Sequence, residues 1–339
     1  MTTASAAQVT PARISQFVWG GVPPLVLEAA IRHRVFDVLD AGAKTIQEVQ
    51  HETGASERGL AAIMNVLVGL EFLEKDGQGR YSLAPDSAAF LVSTKPAFLG
   101  GIYRHLSRQL LPNFLQLNEV VATGRPAKAV NQQSEGGEFF VDFVNDLFPM
   151  NYPAAQALAG HLSLNSSGRE LRVLDLAAGS GVWGIALAQK SECVHVTVVD
   201  WPEVIPVTQK NAARFGLGNR FSFTSGDLLK ADFGDNYAVA TLGHILHSEG
   251  RERSQALLEK VFRALAPGGT IAIAEFLVNP ERTGPLSGLL FAVNMLVNTQ
   301  NGDTYSVEEI GGWLKKAGFV NTRTLDAPGA SPLILATKP

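Results

Sequence analysis

The sequence predicts an α/β protein in which a doubly wound, mostly parallel sheet follows a smaller α-helical domain of the winged-helix kind. Apolar, β-branched runs that begin at Val173, Val194 and Tyr237 alternate with helical stretches, as parallel strands joined by crossover helices do. Nearer the N-terminus, two helical stretches and a short hairpin follow one another between residues 45 and 83. A length of 339 residues accommodates both parts.

Composition argues against several classes of function. A net charge of −4 and an isoelectric point near 6.0 give no general attraction to nucleic acid or to an anionic membrane. The one cysteine, Cys193, cannot form an intramolecular disulfide. We expect no apolar run near the roughly 20 residues that span a bilayer. The sequence therefore predicts a cytoplasmic protein that binds neither nucleic acid nor membrane.

The N-terminal elements favour contact between subunits over contact with DNA. Ser56 is a good N-cap for a helix that reaches Leu70, and residues 76–79 predict the turn of a hairpin. That helix is apolar nearly all round, and acidic residues outnumber basic ones between Lys44 and Ser82. We predict a dimerisation domain, with a cofactor-sensing DNA-binding regulator as the distant alternative.

The first strand of the predicted sheet leads into a glycine-containing turn. Asp175 closes the strand, and Gly179 and Gly181 let the backbone approach a ligand closely before a helix begins at Val182. This arrangement indicates a nucleotide-like cofactor. Residues 179–184 also contain the spacing Gly-x-Gly-x-x-Gly, so a dehydrogenase is an alternative at this point.

Two further acids follow the second and third predicted strands. Asp200 ends the run that begins at Val194, where a carboxylate can accept hydrogen bonds from ribose hydroxyls. Asp227 follows Gly226 beside apolar residues, a suitable position for binding an exocyclic amine. With Asp175, these acids are expected to surround one pocket.

The fourth and fifth strands predict a catalytic pair. They bring His247 and Glu275 to the carboxyl edge of the sheet, where ligands bind in open α/β folds. A histidine accepts a proton near neutrality, and a carboxylate on its other nitrogen fixes the tautomer and stabilises the cation. The pair suits deprotonation of a hydroxyl. His244 and Glu249 lie nearby without a further ligand cluster, so we predict no metal.

These residues resemble the class I S-adenosylmethionine-dependent methyltransferases of the plant caffeate type and of the bacterial small-molecule O-methyltransferase group, including hydroxyneurosporene methyltransferase-like proteins. The resemblance covers nearly the whole chain. It implies a winged-helix dimerisation domain at 12–100, a helical linker and substrate lid at 101–165, and a Rossmann-like catalytic domain at 166–339 that binds S-adenosylmethionine. It also implies a homodimer.

The resemblance assigns roles to individual residues. His247, in Ile245-Leu246-His247-Ser248, matches the general base of the family, and Glu275 matches its orienting glutamate at the same separation of 28 positions. The residues expected at the cofactor are Asp175, Ala177, Gly179, Gly181, Asp200, Trp201, Gly226, Asp227 and Leu228. Those expected at the methyl acceptor are Phe114, Met150, Phe291, Met295 and Asn298.

The chain departs from the family pattern in three places. Ala177 and the alanine after it stand where the family loop commonly has glycine. Ser248-Glu249 replaces the Asp-Trp that usually follows the base. A second glutamate, found in Gly-Gly-Lys-Glu-Arg-Thr in relatives, aligns with Thr304, one position after Asp303. Either Asp303 or Thr304 is then the candidate to assist His247.

We therefore expect methyl transfer from S-adenosylmethionine to a hydroxyl of a small, largely apolar metabolite that is phenolic, enolic or polyketide-like. The sulfonium already activates the methyl group, so the protein has to align oxygen, methyl and sulfur and exclude water. Methylation at carbon is the alternative, because the same fold and base can act on an electron-rich carbon.

Overall fold

A computed structural model of the protein describes residues 9–164 and 170–339, apart from the side chains of 133–138 and 142. The chain divides into two compact units, Met1–Ser107 and Arg108–Pro339. The division into segments 12–100, 101–165 and 166–339 stays a prediction. Its second boundary lies outside the described residues.

The first unit is helical with one small hairpin, and a β-hairpin after two helices is what the sequence predicts. The two strands are β1, Leu73–Lys75, and β2, Tyr81–Leu83, paired antiparallel. The helices are α1 Ala12–Ser15, α2 Val22–Arg32, α3 Val35–Leu39, α4 Ile46–Thr53, α5 Glu57–Gly69, α6 Pro85–Phe90 and α7 Gly101–His105.

Local chemistry explains where α4 and α5 begin. The Thr45 hydroxyl accepts a hydrogen bond from Glu48 N, and the Glu48 carboxylate accepts one from Thr45 N, which forms a capping box. Ser56 caps α5 in the same way through Gly59 N. Helix α5 then buries Leu60, together with Met64 and Leu67, on the core side of the unit.

The N-terminal stretch Ala12–Arg32 corrects one expectation. By length and composition its 21 residues could cross a membrane, so the expectation that no run approaches that length is wrong. The backbone is broken, since α1 passes into a 3-10 turn at Gln16–Trp19 and α2 begins only at Val22. Phe17, Val18 and Trp19 are each 72% exposed. The stretch therefore presents an uncovered apolar surface.

The second unit is built on a seven-stranded sheet. Its strands are β3 Leu171–Leu176, β4 Val194–Asp200, β5 Phe221–Ser225, β6 Tyr237–Gly243, β7 Leu265–Ala274, β8 Val320–Leu325 and β9 Leu333–Thr337. Their order across the sheet is β5-β4-β3-β6-β7-β9-β8. Strands β3 to β7 pair in parallel, and β9 runs antiparallel to β7 and β8. The doubly wound α/β fold class is confirmed.

This strand order positions the site. Strand order reverses between β3 and β6, and ligands of doubly wound sheets bind at such a point, beyond the carboxyl ends of the strands. The turn after β3 and the segment after β6 therefore lie side by side. The helices of this unit are α8 Leu111–Phe114, α9 Leu117–Thr123, α10 Gln133–Asp146, α11 Phe148–His161, α12 Val182–Lys190, α13 Ile205–Arg214, α14 Leu246–Ala264, α15 Leu286–Asn298 and α16 Val307–Ala317.

Two glycines allow close packing beneath the site. A Cβ on Gly184 would lie 2.8 Å from Val196 Cγ1 and 2.9 Å from Asp175 Oδ2. A Cβ on Gly243 would overlap the indole nitrogen of Trp183. Trp183 thus occupies the space that a side chain at position 243 would need, which holds α12 directly against the ends of β3 and β6.

Candidate active site

The turn between β3 and α12 follows a left-handed path. The φ angle is +48° at Ala177, +56° at Gly179 and +76° at Gly181. A Cβ on Gly181 would lie 2.5 Å from Thr208 Cγ2, so both conformation and space require glycine there. Ala177 enters the left-handed region with a Cβ, at a cost of roughly 1 kcal/mol. The alanine that departs from the family pattern is therefore accommodated as a strained residue.

Asp175 supports this turn from beneath. The residue is fully buried; its Oδ2 accepts a hydrogen bond from Gly184 N at 2.9 Å, and its Oδ1 accepts one from Thr241 Oγ1 at 2.7 Å. Burial raises the pKa of Asp175 to about 6 against the effect of these hydrogen bonds. Asp175 is thus fixed beneath the turn by Gly184 and Thr241, and its expected contact with a cofactor stays a prediction.

Asp200 joins the turn to the end of β4. Its Oδ2 accepts a hydrogen bond from Gly179 N at 2.8 Å, and its Oδ1 accepts one from Trp201 N at 2.7 Å. The backbone oxygen of Asp200 accepts from Gly226 N at 3.0 Å, so the ends of β4 and β5 meet here. Burial raises the pKa of Asp200 to about 6. The Trp201 ring lies 5.8 Å from Phe140 between centroids.

Asp227 belongs to a chain of ion pairs. Its Oδ1 accepts from Leu229 N at 2.9 Å and its Oδ2 from Arg253 Nη2 at 2.8 Å, while Arg253 Nε donates to Glu249 Oε2 at 2.6 Å. Burial works to raise the pKa of Asp227, but the Leu229 N–H and Arg253 outweigh it and lower the pKa. Asp227 thus stays ionised, with both oxygens available as hydrogen-bond acceptors. Leu228 is buried in the core beside it.

His247 and Glu275 form a buried pair. Glu275, directly after β7, places its Oε2 2.6 Å from His247 Nδ1, while its Oε1 accepts from Leu246 N at 2.7 Å. Burial works to raise the pKa of Glu275, but the charge interaction and hydrogen bond with His247 outweigh it and lower the pKa. An ionised Glu275 holds the proton on Nδ1 and leaves Nε2 of His247 able to accept another.

His244 lies beside this pair in a left-handed backbone conformation, with φ of +62°. Its Nε2 is 3.2 Å from Asn151 Oδ1, and its buried Nδ1 has no hydrogen-bond partner in the described part of the chain. Burial lowers the pKa of His244 to about 4, so the ring is neutral at neutral pH. One ligand atom each from His244, His247 and Glu275 lie within 4.8 Å of one another. The Glu275 carboxylate is already hydrogen-bonded to His247. The absence of a metal at these three residues stays a prediction.

Two family models match the chain. One describes an O-methyltransferase domain and matches residues 162–320, and the other describes an O-methyltransferase dimerisation domain and matches residues 16–93. The chain belongs to the O-methyltransferase family.

Known proteins that match nearly the whole chain agree with this assignment. The 3-hydroxy-5-methyl-1-naphthoate 3-O-methyltransferase of Streptomyces sahachiroi is 29% identical over 92% of this chain and 91% of its own. PigF of a Serratia strain, an S-adenosyl-L-methionine-dependent methyl transferase, is 26% identical over 92% of this chain and 91% of its own. The crystal structure of a candidate O-methyltransferase from Nostoc punctiforme is 28% identical, with a TM-score of 0.89 over 98% of this chain and 100% of that one. The protein is an S-adenosylmethionine-dependent O-methyltransferase.

The residues that the sequence assigns to the acceptor of this O-methyltransferase lie partly on α15. The ring of Phe291 is 4.8 Å from that of His247 between centroids, and it stacks on Phe276 at 3.8 Å. Met295 and Asn298 follow on the same helix and are buried, at 6% and 1% exposure. The wall beside the base is therefore largely aromatic.

Phe114 and Met150 are less enclosed. Phe114 ends α8, which packs against α15, and is half-buried. Met150 is 38% exposed near the start of α11, one residue before the Asn151 that contacts His244. Their contact with an acceptor stays a prediction.

Asp303 supports His247 through the backbone. Its carboxylate oxygens lie 3.1 and 3.2 Å from Arg282 Nη1, and its N–H donates to the backbone oxygen of His247 at 2.9 Å. Thr304 is fully buried, and its hydroxyl has no partner within the described residues. Among the described residues, Glu275 is the carboxylate hydrogen-bonded to the imidazole of His247 in this O-methyltransferase.

Sequence reasoning missed three residues of the site. Phe276 follows Glu275 at the end of its strand, which could have placed it beside the base. Arg253 stands four positions after Glu249 and pairs with it across Gly250, where the backbone is not helical and φ is +78°. Thr241 pairs in register with Asp175 across β6 and β3. Only strand pairing, which joins distant segments, reveals that contact.

Proposed function

We propose that this O-methyltransferase methylates a hydroxyl of a small, largely apolar phenolic, enolic or polyketide-like acceptor, with His247 as the general base. The observation that carries the proposal is the buried 2.6 Å contact between His247 Nδ1 and Glu275 Oε2. It leaves Nε2 to take the proton of the hydroxyl, and the Glu275 carboxylate offsets the charge that the ring gains.

The cofactor residues fit this role. When bound, S-adenosylmethionine supplies a methyl group that its sulfonium has already activated. The left-handed turn at Gly179 and Gly181 would let the backbone approach the cofactor, and the Asp200 and Asp227 carboxylates would accept hydrogen bonds from its ribose and adenine. The stacked rings of Phe276 and Phe291 keep water from the base.

The protein acts as a homodimer through its first unit. Residues 16–93 match a dimerisation domain, and Phe17, Val18 and Trp19 expose an apolar surface that a second copy can cover. A cytoplasmic location, and the absence of nucleic-acid and membrane partners, remain predictions from the sequence.

Methyl-labelled S-adenosylmethionine and a panel of phenols, enols and polyketide-like acceptors test the proposal. We expect wild-type protein to place label on oxygen, and His247→Ala to lower kcat by on the order of 10² to 10⁴. Glu275→Gln should lower kcat with little change in acceptor KM, because it acts through His247. His51→Ala, which changes an exposed histidine of α4, is the control and should leave the rate unchanged.

Two outcomes would count against the proposal. Transfer by His247→Ala at the wild-type rate would show that alignment alone, or another residue, suffices. Label on carbon, recognised by its resistance to chemical demethylation, would mean C-methylation instead.

A further inference from the structure

One guanidinium joins two carboxylates beside the cofactor turn. Arg253 Nε donates to Glu249 Oε2 at 2.6 Å, and Arg253 Nη2 donates to Asp227 Oδ2 at 2.8 Å. Glu249 lies two residues after the base, in the Ser248-Glu249 pair that departs from the family pattern. Neither Arg253 nor Glu249 is among the residues that the resemblance assigns to the cofactor.

The backbone after the base brings Glu249 to Arg253. Gly250 interrupts α14 with φ of +78° and ψ of 166°, and a Cβ there would lie 2.6 Å from the backbone oxygen of Asn301. Both the conformation and the space therefore require glycine at the kink. The Glu249 side chain is only 9% exposed. The kink thus fixes a buried carboxylate beside the guanidinium.

Two donors fix the direction of the Asp227 carboxylate. Leu229 N donates to Oδ1 at 2.9 Å and Arg253 to Oδ2, so the group cannot turn about its Cβ–Cγ bond without losing a hydrogen bond. Each oxygen keeps a second lone pair for a ligand. Nε and Nη2 lie along one edge of the planar guanidinium, so Glu249, by binding Nε, also sets the direction of Nη2.

The charges support the same arrangement. Glu249 and Asp227 repel each other, and Arg253 between them offsets the repulsion. Burial raises the pKa of Glu249, and Arg253 opposes that rise. Without Arg253, two acids would stand close together with one of them buried, which favours rotation of Asp227 away from Glu249.

We infer that Arg253 is a positioning residue for adenine recognition, which aims the Asp227 carboxylate at the 6-amino group while Glu249 holds Arg253 in place. The inference rests on the proposed function, which assigns adenine to Asp227, and adds two residues that determine cofactor specificity. An ionised carboxylate only accepts hydrogen bonds, so it recognises the amine N–H and gains nothing from a purine that lacks one.

The ratio of two dissociation constants tests this inference without turnover. The probes are S-adenosylhomocysteine and its analogue in which hydrogen replaces the 6-amino group, and calorimetry on the full chain measures both. Wild-type protein should prefer S-adenosylhomocysteine by about 10- to 100-fold, as a hydrogen bond to a charged group provides. The probes share the ribose and the homocysteine chain, so a general loosening of the fold weakens both equally and leaves the ratio unchanged.

Substitutions assign the ratio to the linked side chains. Asp227→Ala should abolish the preference, and Arg253→Gln should lower it by about threefold or more, a coupling typical of one ion-pair network. Glu249→Gln should lower it less, and the double variant should match Arg253→Gln, because Glu249 acts through Arg253. Arg263→Gln and Glu252→Gln change exposed residues of the same helix and should keep the wild-type ratio.

Several results would overturn the inference. They are a wild-type ratio near one, or an unchanged ratio in Arg253→Gln, with both probes weakened equally or not at all. A double variant with a ratio well below that of Arg253→Gln would refute the role given to Glu249. Failure of the wild type to bind either probe would overturn the inference together with the cofactor assignment. Loss of methyl transfer to every acceptor, with the binding ratios as expected, would count against the proposed function alone.

Discussion

Asp175, beneath the cofactor turn, makes stability depend on pH. Burial raises its pKa from 3.8 to about 6. Because the folded state then binds the proton more tightly than the unfolded state, the stability that Asp175 contributes is fully present below about pH 4 and is lost as the pH rises through 6. Above that range the fold contains a buried negative charge, held by Gly184 N–H and the Thr241 hydroxyl.

We predict that Asp175→Asn removes this dependence. Asparagine can accept a hydrogen bond from Gly184 N–H through Oδ1 and donate one to Thr241 Oγ1 through Nδ2. From pH 4 to pH 7, the free energy of unfolding of the wild type should fall relative to the variant by up to about 3 kcal/mol. Urea unfolding at a series of pH values measures the difference. Asp235→Asn, at an exposed position, should follow the wild type, and an identical profile for Asp175→Asn would refute the prediction.

The location of a single residue was predictable from the sequence where it directly follows a strand of the sheet. His247 and Glu275 follow strands that pair side by side, so their contact follows from the order of the sheet. Asn298 was not predictable in the same way, because its partner Asn113 lies 185 positions away. A polar residue expected to face a ligand can bind a distant neighbour instead.

The backbone of the turn between β3 and α12 is constrained both by its left-handed conformation and by its surroundings. Gly181→Ala would force a side chain into a left-handed conformation and place its Cβ 2.5 Å from Thr208 Cγ2. We predict a loss of stability of about 1 to 3 kcal/mol and an affinity for S-adenosylmethionine reduced by on the order of tenfold. Thermal unfolding and calorimetry measure the two effects.

Gly216→Ala is the matched control for this turn. Gly216 follows α13 with a similar φ of +72°, but a Cβ there would meet nothing within 4 Å. The Gly216→Ala variant should lose only about 1 kcal/mol of stability, the cost of a side chain in a left-handed conformation. It should keep its affinity for the cofactor. If Gly181→Ala and Gly216→Ala behaved alike, steric contact with Thr208 would not matter.

The start of a helix was predictable from the sequence where local residues mark it. The exposure of apolar residues to solvent was not. Thr45 and Ser56 cap their helices through residues three positions away, so α4 and α5 begin where propensity places them. The break at Gln16–Trp19 also has a local signal, because Gly20 and Gly21 follow it and prolines occupy the first turn of α2. Its apolar residues are exposed to solvent, a state that hydrophobicity alone does not predict.

At the scale of the whole molecule, the apolar N-terminal surface predicts assembly. Phe17→Asp combined with Trp19→Asp should shift the protein from dimer to monomer, because burying each aromatic side chain contributes on the order of 2 kcal/mol and a two-fold interface uses every residue twice. Sedimentation velocity over a range of concentrations measures the change. Val320→Asp, at an exposed position of β8, should remain dimeric. A double variant that sediments as the wild type does would place the interface elsewhere.

The overlap between a side chain at position 243 and the indole of Trp183 limits how this enzyme can evolve. A lineage that replaces Gly243 must also replace Trp183 with a smaller residue, since the intruding carbon would otherwise occupy the space of a ring atom. Each change alone is unfavourable, because the first creates a clash and the second leaves a cavity under the turn. Related sequences and selected libraries should therefore vary these two positions together.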